Sequence, residues 1–159
     1  MRVSLTGDAS FGPADGLGDI VSKVLERKDG TLVVVSTGFT LSTPEGRGFR
    51  SVRPALPPDV SPAAWRLFHG VLEDRDGAFW IATHRGLLRY PPVGRLEELS
   101  RTPPRAVYTE RDGLATSSVA RLLEDGRGDI WIGTFSPAHD ALTRHVRATG
   151  RFERFGARD

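Results

Sequence analysis

The sequence predicts an all-β protein: a partial β-propeller of about three four-stranded blades, cut from a larger, seven-bladed ring. Three observations predict it. A repeat with a period of about 48 residues runs along the 159-residue chain. Each repeat carries a turn glycine followed at once by a short apolar run. Proline and glycine, 11 and 18 residues of them, interrupt nearly every window long enough for a helix.

The repeat is read from three aligned segments, Val24–Ser36, Val71–Thr83 and Leu122–Thr134. Their shared glycines, Gly30, Gly77 and Gly128, lie 47 and 51 residues apart. A second marker runs in phase: an aromatic residue four positions before an aspartate, at Phe11/Asp15, Tyr108/Asp112 and Phe155/Asp159. The first two continue as Asp-Gly-Leu, and the chain stops at Asp159. The middle repeat keeps only a proline-rich stretch, Pro57-Pro58-Asp59, at that place. The expected organisation is the end of a preceding blade with its connecting loop at 1–17, then blades at 18–55, 56–111 and 112–159, the last stopping before the next repeat.

Innermost strands are expected at Val21–Arg27, Phe68–Asp74 and Val119–Asp125. An Asp-Gly or Arg-Gly turn then reverses the chain, Asp-Gly supplying the positive φ angles that a tight hairpin needs. Second strands are expected at Leu32–Ser36, Phe79–Thr83 and Ile130–Thr134. Their near-continuous apolar character suggests burial on both faces, as between stacked blades. Third strands follow at Phe39–Ser42, Leu87–Tyr90 and Ala141–Val146, and outer strands at Phe49–Val52, Ala106–Thr109 and Arg151–Phe155.

Composition excludes several functions. No cysteine is present, so disulfides, thiolate zinc sites and cysteine nucleophiles are ruled out. The formal net charge is only +2, and the arginines are spread along the chain instead of clustering among aromatics, so no nucleic-acid partner is expected. No run approaches the length of a membrane span, and this segment is expected to make no membrane contact. The first residues lack the apolar core of an export signal; if the intact protein is exported, that signal is expected upstream.

Tyr108–Thr134 and Leu72–Tyr90 resemble the repeat of two-component regulator propellers. The first repeat departs from that pattern, with Arg27 in place of the expected Asp and Val33 in place of the expected Trp. The third departs after Thr134, where Phe135–Asp140 replaces a short glycine turn. The resemblance implies a non-catalytic, extracytoplasmic (periplasmic) sensing region of a bacterial signalling protein. Its partners would be the rest of the propeller and downstream output domains such as a histidine kinase or diguanylate cyclase.

Candidate chemistry is sparse. Trp80 and Trp131 read as inter-blade core. Glu73-Asp74 and Glu124-Asp125 cannot bracket one bond, because neighbours on a strand point to opposite faces. Asp74 and Asp125 are instead expected to accept turn N–H groups. His69, His84, His139 and His145 have no metal-site spacing, and no metal or other cofactor is expected. No nucleophile elbow appears. Gly126-Arg-Gly128 opens no helix that could hold phosphate.

A polar ligand, a carbohydrate for example, is expected on the face that gathers the outer-to-inner connections and the turns between second and third strands. The residues assigned to it are Trp65, His84, Arg85, Asp112, His139 and Asp140. The opposite face holds the short hairpins and is expected to offer little chemistry. Competing readings are a protein-interaction propeller without a small ligand, and a polysaccharide hydrolase or lyase on a propeller scaffold. Uncovered blade faces at either end are expected to favour self-association.

Overall fold

A computed structural model of the chain describes residues 10–62, 70–135 and 142–156. Three separate four-stranded antiparallel sheets follow one another along the sequence, in the orders β1-β2-β3-β4, β5-β6-β7-β8 and β9-β10-β11-β12. The first blade is β1 (Val21–Glu26), β2 (Leu32–Ser36), β3 (Thr40–Glu45) and β4 (Gly48–Val52). The second is β5 (Val71–Glu73), β6 (Phe79–Thr83), β7 (Gly86–Tyr90) and β8 (Ala106–Tyr108). The third is β9 (Val119–Glu124), β10 (Ile130–Thr134), β11 (Leu142–Val146) and β12 (Arg151–Phe155). Each strand pairs only with its sequence neighbours, as in a propeller blade, and the three blades do not close into a ring.

The hairpins between the first two strands of each blade share one geometry. Asp74 N donates to Ala78 O at 2.9 Å and Gly77 N to Asp74 O at 2.8 Å, and the same pair of bonds recurs at Arg27/Thr31 and Asp125/Asp129. Only the glycine takes positive φ: 80° at Gly30, 83° at Gly77 and 89° at Gly128. The turn is therefore a four-residue turn ending in a left-handed glycine, not the two-residue Asp-Gly turn with both residues at positive φ.

Blade stacking builds the core. Along β6, Phe79 and Ile81 face blade 1 and join Val33, Val35 and Leu41, while Trp80 and Ala82 face blade 3 and join Val119, Leu122, Ile130 and Ile132. Period-2 alternation thus feeds two apolar layers from one strand, and β6 is buried throughout. The expectation of two-sided burial holds there and along β2 from Val33 to Ser36, with Leu32 exposed at the start of the strand, and fails on β10, where Trp131 is only half-buried. On that face of β10 no described blade packs. At Gly70 blades 2 and 3 approach closely, since a Cβ there would stand 2.9 Å from Ala120 O.

Several strand boundaries differ from expectation by one to three residues. Phe39 belongs to the turn before β3, at φ 58°, the one positive φ outside glycine among the described residues. Its ring is fully buried, and that packing holds the backbone in a region most side chains avoid. The inner strand of blade 2 ends at Glu73 because Asp74 turns away into the hairpin; the start expected at Phe68 lies outside the described residues. The connection 91–105 contains a turn of 3₁₀ helix at Leu96–Ser100 that sends Leu96 and Leu99 into the layer between blades 1 and 2.

Candidate functional site

The loop face forms as its connections require. Between β6 and β7, Thr83 Oγ1 donates to Gly86 O at 2.7 Å and accepts from Arg85 N at 3.1 Å, which fixes a tight turn with His84 and Arg85 at its tip. Gly86 sits at φ 129°, where a Cβ would stand 2.3 Å from Tyr108 O, so only glycine fits. The chain after β8 coils into a short 3₁₀ turn, Glu110–Asp112. Asp112 Oδ2 accepts from Thr109 N at 2.8 Å and from Thr109 Oγ1 at 3.1 Å. Glu110 Oε1 accepts from Ser117 N at 2.9 Å and draws the following loop back.

These segments, with the connection entering blade 2, line one open depression of about 480 Å³. Asp59, His84, Arg85, Glu110, Arg111 and Ser117 meet there, carrying two guanidinium groups, two carboxylates and an imidazole. Arg85 is exposed, and His84 Nδ1 is buried without a hydrogen-bond partner. The structure therefore brings His84 and Arg85 together with the loop that holds Asp112. The Asp112 carboxylate itself is engaged in capping its own turn. Trp65, His139 and Asp140 lie outside the described residues.

The opposite face is richer than its short hairpins suggest. Arg27 Nε and Nη2 grip Glu73 of the next blade at 3.1 and 3.0 Å, and Nη2 also donates to Val93 O at 2.9 Å. The two side chains are only 7% and 5% exposed. Arg75 holds Glu124 one blade on, through Nε at 2.6 Å and its backbone N–H at 2.9 Å. Arg147 reaches back to Asp76 at 2.8 Å. The glutamate of each Glu-Asp pair thus ties its blade to the preceding one.

The aspartate of each pair does different work. Asp74 Oδ1 accepts from Asp76 N and Ala78 N, and Oδ2 accepts from Trp80 Nε1 at 2.8 Å. Asp125 repeats this with Arg127 N, Asp129 N and Trp131 Nε1. The Trp131 indole N–H, followed by the turn amides, holds the Asp125 carboxyl below the usual carboxylate range. The expected turn-accepting role is present, and the indole bond adds to it. The bond also explains why blade 1 departs at two places together. With Val33 replacing the tryptophan, no indole needs an acceptor, and Arg27 is free to serve the inter-blade ion pair. Sequence reasoning registered both departures; the equal six-residue spacing of Asp74/Trp80 and Asp125/Trp131 was the available signal for the bond.

Fold and turn chemistry together define three consecutive blades of an antiparallel propeller. Residues 113–136, from the Gly-Leu after the capping turn to just beyond β10, match the family described as two component regulator propeller. Among solved structures, the chain is similar to the extracellular domain of BT4673 from B. thetaiotaomicron, described in one structure as a one component system and in another as a hybrid two component system. The first match has a TM-score of 0.66 at 13% identity over 87% of this chain. The second has a TM-score of 0.64 at 12% identity over 85% of it. The chain spans 18% of each of those longer chains. No curated protein matches the sequence. No described helix is long and apolar enough to cross a membrane.

Proposed function

We propose that this chain is a ligand-sensing propeller segment of an extracytoplasmic signalling protein, with signal output carried by other domains and no catalysis by the segment itself. The family repeat and the fold shared with the extracellular domain of a one component system support this reading. The observation that carries it is the loop-face depression, where Arg85 is exposed at a tight turn tip beside a buried His84 nitrogen that has no hydrogen-bond partner among the described residues. Such groups suit the hydroxyls and ring oxygens of a polar ligand such as an oligosaccharide, held on loops that a stiff scaffold positions. The test is calorimetric titration of the chain with a panel of oligosaccharides. His84→Ala and Arg85→Ala are expected to weaken whichever interaction appears, while Lys28→Ala on the opposite face leaves it unchanged. Equal affinity in all variants would refute the site.

A further inference from the structure

On the hairpin face, blades 2 and 3 part to leave a cleft of about 180 Å³ between them. Trp80, Arg89 and Tyr108 line it from blade 2 and His145 from blade 3. The Trp80 and Tyr108 rings stack at 5.9 Å, and His145 packs against both, 5.2 Å from Trp80. The Arg89 guanidinium lies over the Trp80 ring at 5.0 Å. Among the described residues, Arg89 makes no side-chain hydrogen bond or ion pair, and the Tyr108 hydroxyl and the His145 ring nitrogens have no hydrogen-bond partner. The neighbouring charges are committed elsewhere: Asp74 to its turn, Arg75 to Glu124, Arg147 to Asp76.

The repeat shows what Arg89 lacks. Trp80 pairs with Arg89, and Arg89 with Ala106, across β6, β7 and β8. In blade 3 the same register pairs Trp131 with Arg144, and Arg144 with Glu153. Arg144 bonds Glu153 and also lies 3.8 Å from Asp129. Both carboxylate positions are alanine in blade 2: Ala106 stands for Glu153 and Ala78 for Asp129. The cation without an ion pair is therefore the one that lines the cleft between blades. The paired one lies on an open face. We propose that this cleft binds a small monocarboxylate. It would occupy the place Glu153 takes in blade 3, with the Arg89 fork on both oxygens and N–H or O–H donation from His145 and Tyr108. One guanidinium without an ion pair, flanked by two neutral donors, matches a single carboxylate, and the cleft admits only a few atoms beyond it. Burial, with Arg89 adding to it, lowers the His145 pKa, which keeps the ring neutral beside the arginine. A ligand there touches both blades and stiffens their junction. This site is independent of the loop-face reading.

The test titrates the chain with sodium acetate and sodium lactate at constant ionic strength in chloride, following the histidine ring signals by NMR. Saturable shifts of the His145 signals are expected with one or both acids, and no shift with chloride alone. Arg89→Gln should abolish them. Ala106→Glu, which restores the blade 3 pairing internally, should raise the melting temperature and weaken acetate or lactate by at least about tenfold, the weight of one charge-assisted bond. Two results would overturn the proposal: His145 signals that do not respond to either acid in the folded wild-type chain, or an Ala106→Glu chain that binds as tightly as wild type. Saturable binding of inorganic phosphate without any response to the two acids would overturn the carboxylate assignment.

Discussion

Arg27 looks like a defect in the repeat and acts as a clamp. Its guanidinium forks onto Glu73, donates to the Val93 carbonyl and lies 5.4 Å from the Phe79 ring, all across the junction of blades 1 and 2. Removing one partner of a buried pair leaves the other charge without compensation. Arg27→Ala is expected to destabilise the chain by about 3–5 kcal/mol in urea unfolding, and Arg27→Ala with Glu73→Gln by clearly less, because the stranded charge is gone. His145 supplies a second residue-scale prediction. Desolvation first, and the Arg89 charge second, lower its folded pKa below 6.5, while Asp129 and Asp74 oppose them. The unfolded chain therefore takes up a proton more readily than the folded one. The stability contributed by neutral His145 is fully present above about pH 6.5 and is lost as the pH falls below that value. Urea midpoints measured on either side of pH 6.5 should decline toward acid for the wild type, and less steeply for His145→Phe.

At the scale of the blade, one motif meets two environments. Trp80 and Trp131 have the same indole-to-aspartate bond and the same arginine across the sheet. Trp80 is 1% exposed because Tyr108, His145 and Phe152 close over its side of the sheet. Trp131 is covered only in part, by Phe155 and Arg144 of its own blade. Trp80→Ala is expected to cost about 3–5 kcal/mol, the usual penalty for emptying a buried aromatic site, and Trp131→Ala distinctly less. Fluorescence should agree, with the Trp131 contribution to the emission red-shifted and more accessible to iodide than that of Trp80. Equal losses in the two variants would show that Trp131 is covered in solution.

Across the whole molecule, apolar surface concentrates on the two outward blade faces. Leu123 is 63% exposed on blade 3, beside Leu142 and Phe155, and Val24 is 58% exposed on blade 1, beside Leu32. The blade 3 face repeats, position for position, the face of blade 2 that blade 3 buries: Leu123 for Leu72, Trp131 for Trp80, Leu142 for Leu87, Phe155 for Tyr108. A contiguous apolar face of this kind favours association. Sedimentation across a concentration series should show self-association of this chain, and Leu123→Lys should reduce it. A monomer at all concentrations would refute this expectation.

Local sequence signals specify the blades. Gly30, Gly77 and Gly128 mark the turns, the apolar runs mark the second strands, and Leu32–Ser36, Phe79–Thr83 and Ile130–Thr134 fall where those signals put them. Turn chemistry and side-chain alternation act over a few residues, so they are legible in one dimension. They also placed His84 and Arg85 on one face, because the up-and-down order of strands assigns every connection to one end of the blade or the other. Tertiary structure alone decided how each blade meets the next. That Arg27 finds Glu73, that Trp80 is sealed while Trp131 is not, and that Arg89 lacks the carboxylate Arg144 has, depend on partners on other strands and other blades. Only folding brings those partners within hydrogen-bond reach, where the surrounding protein excludes water and makes a paired or unpaired charge matter.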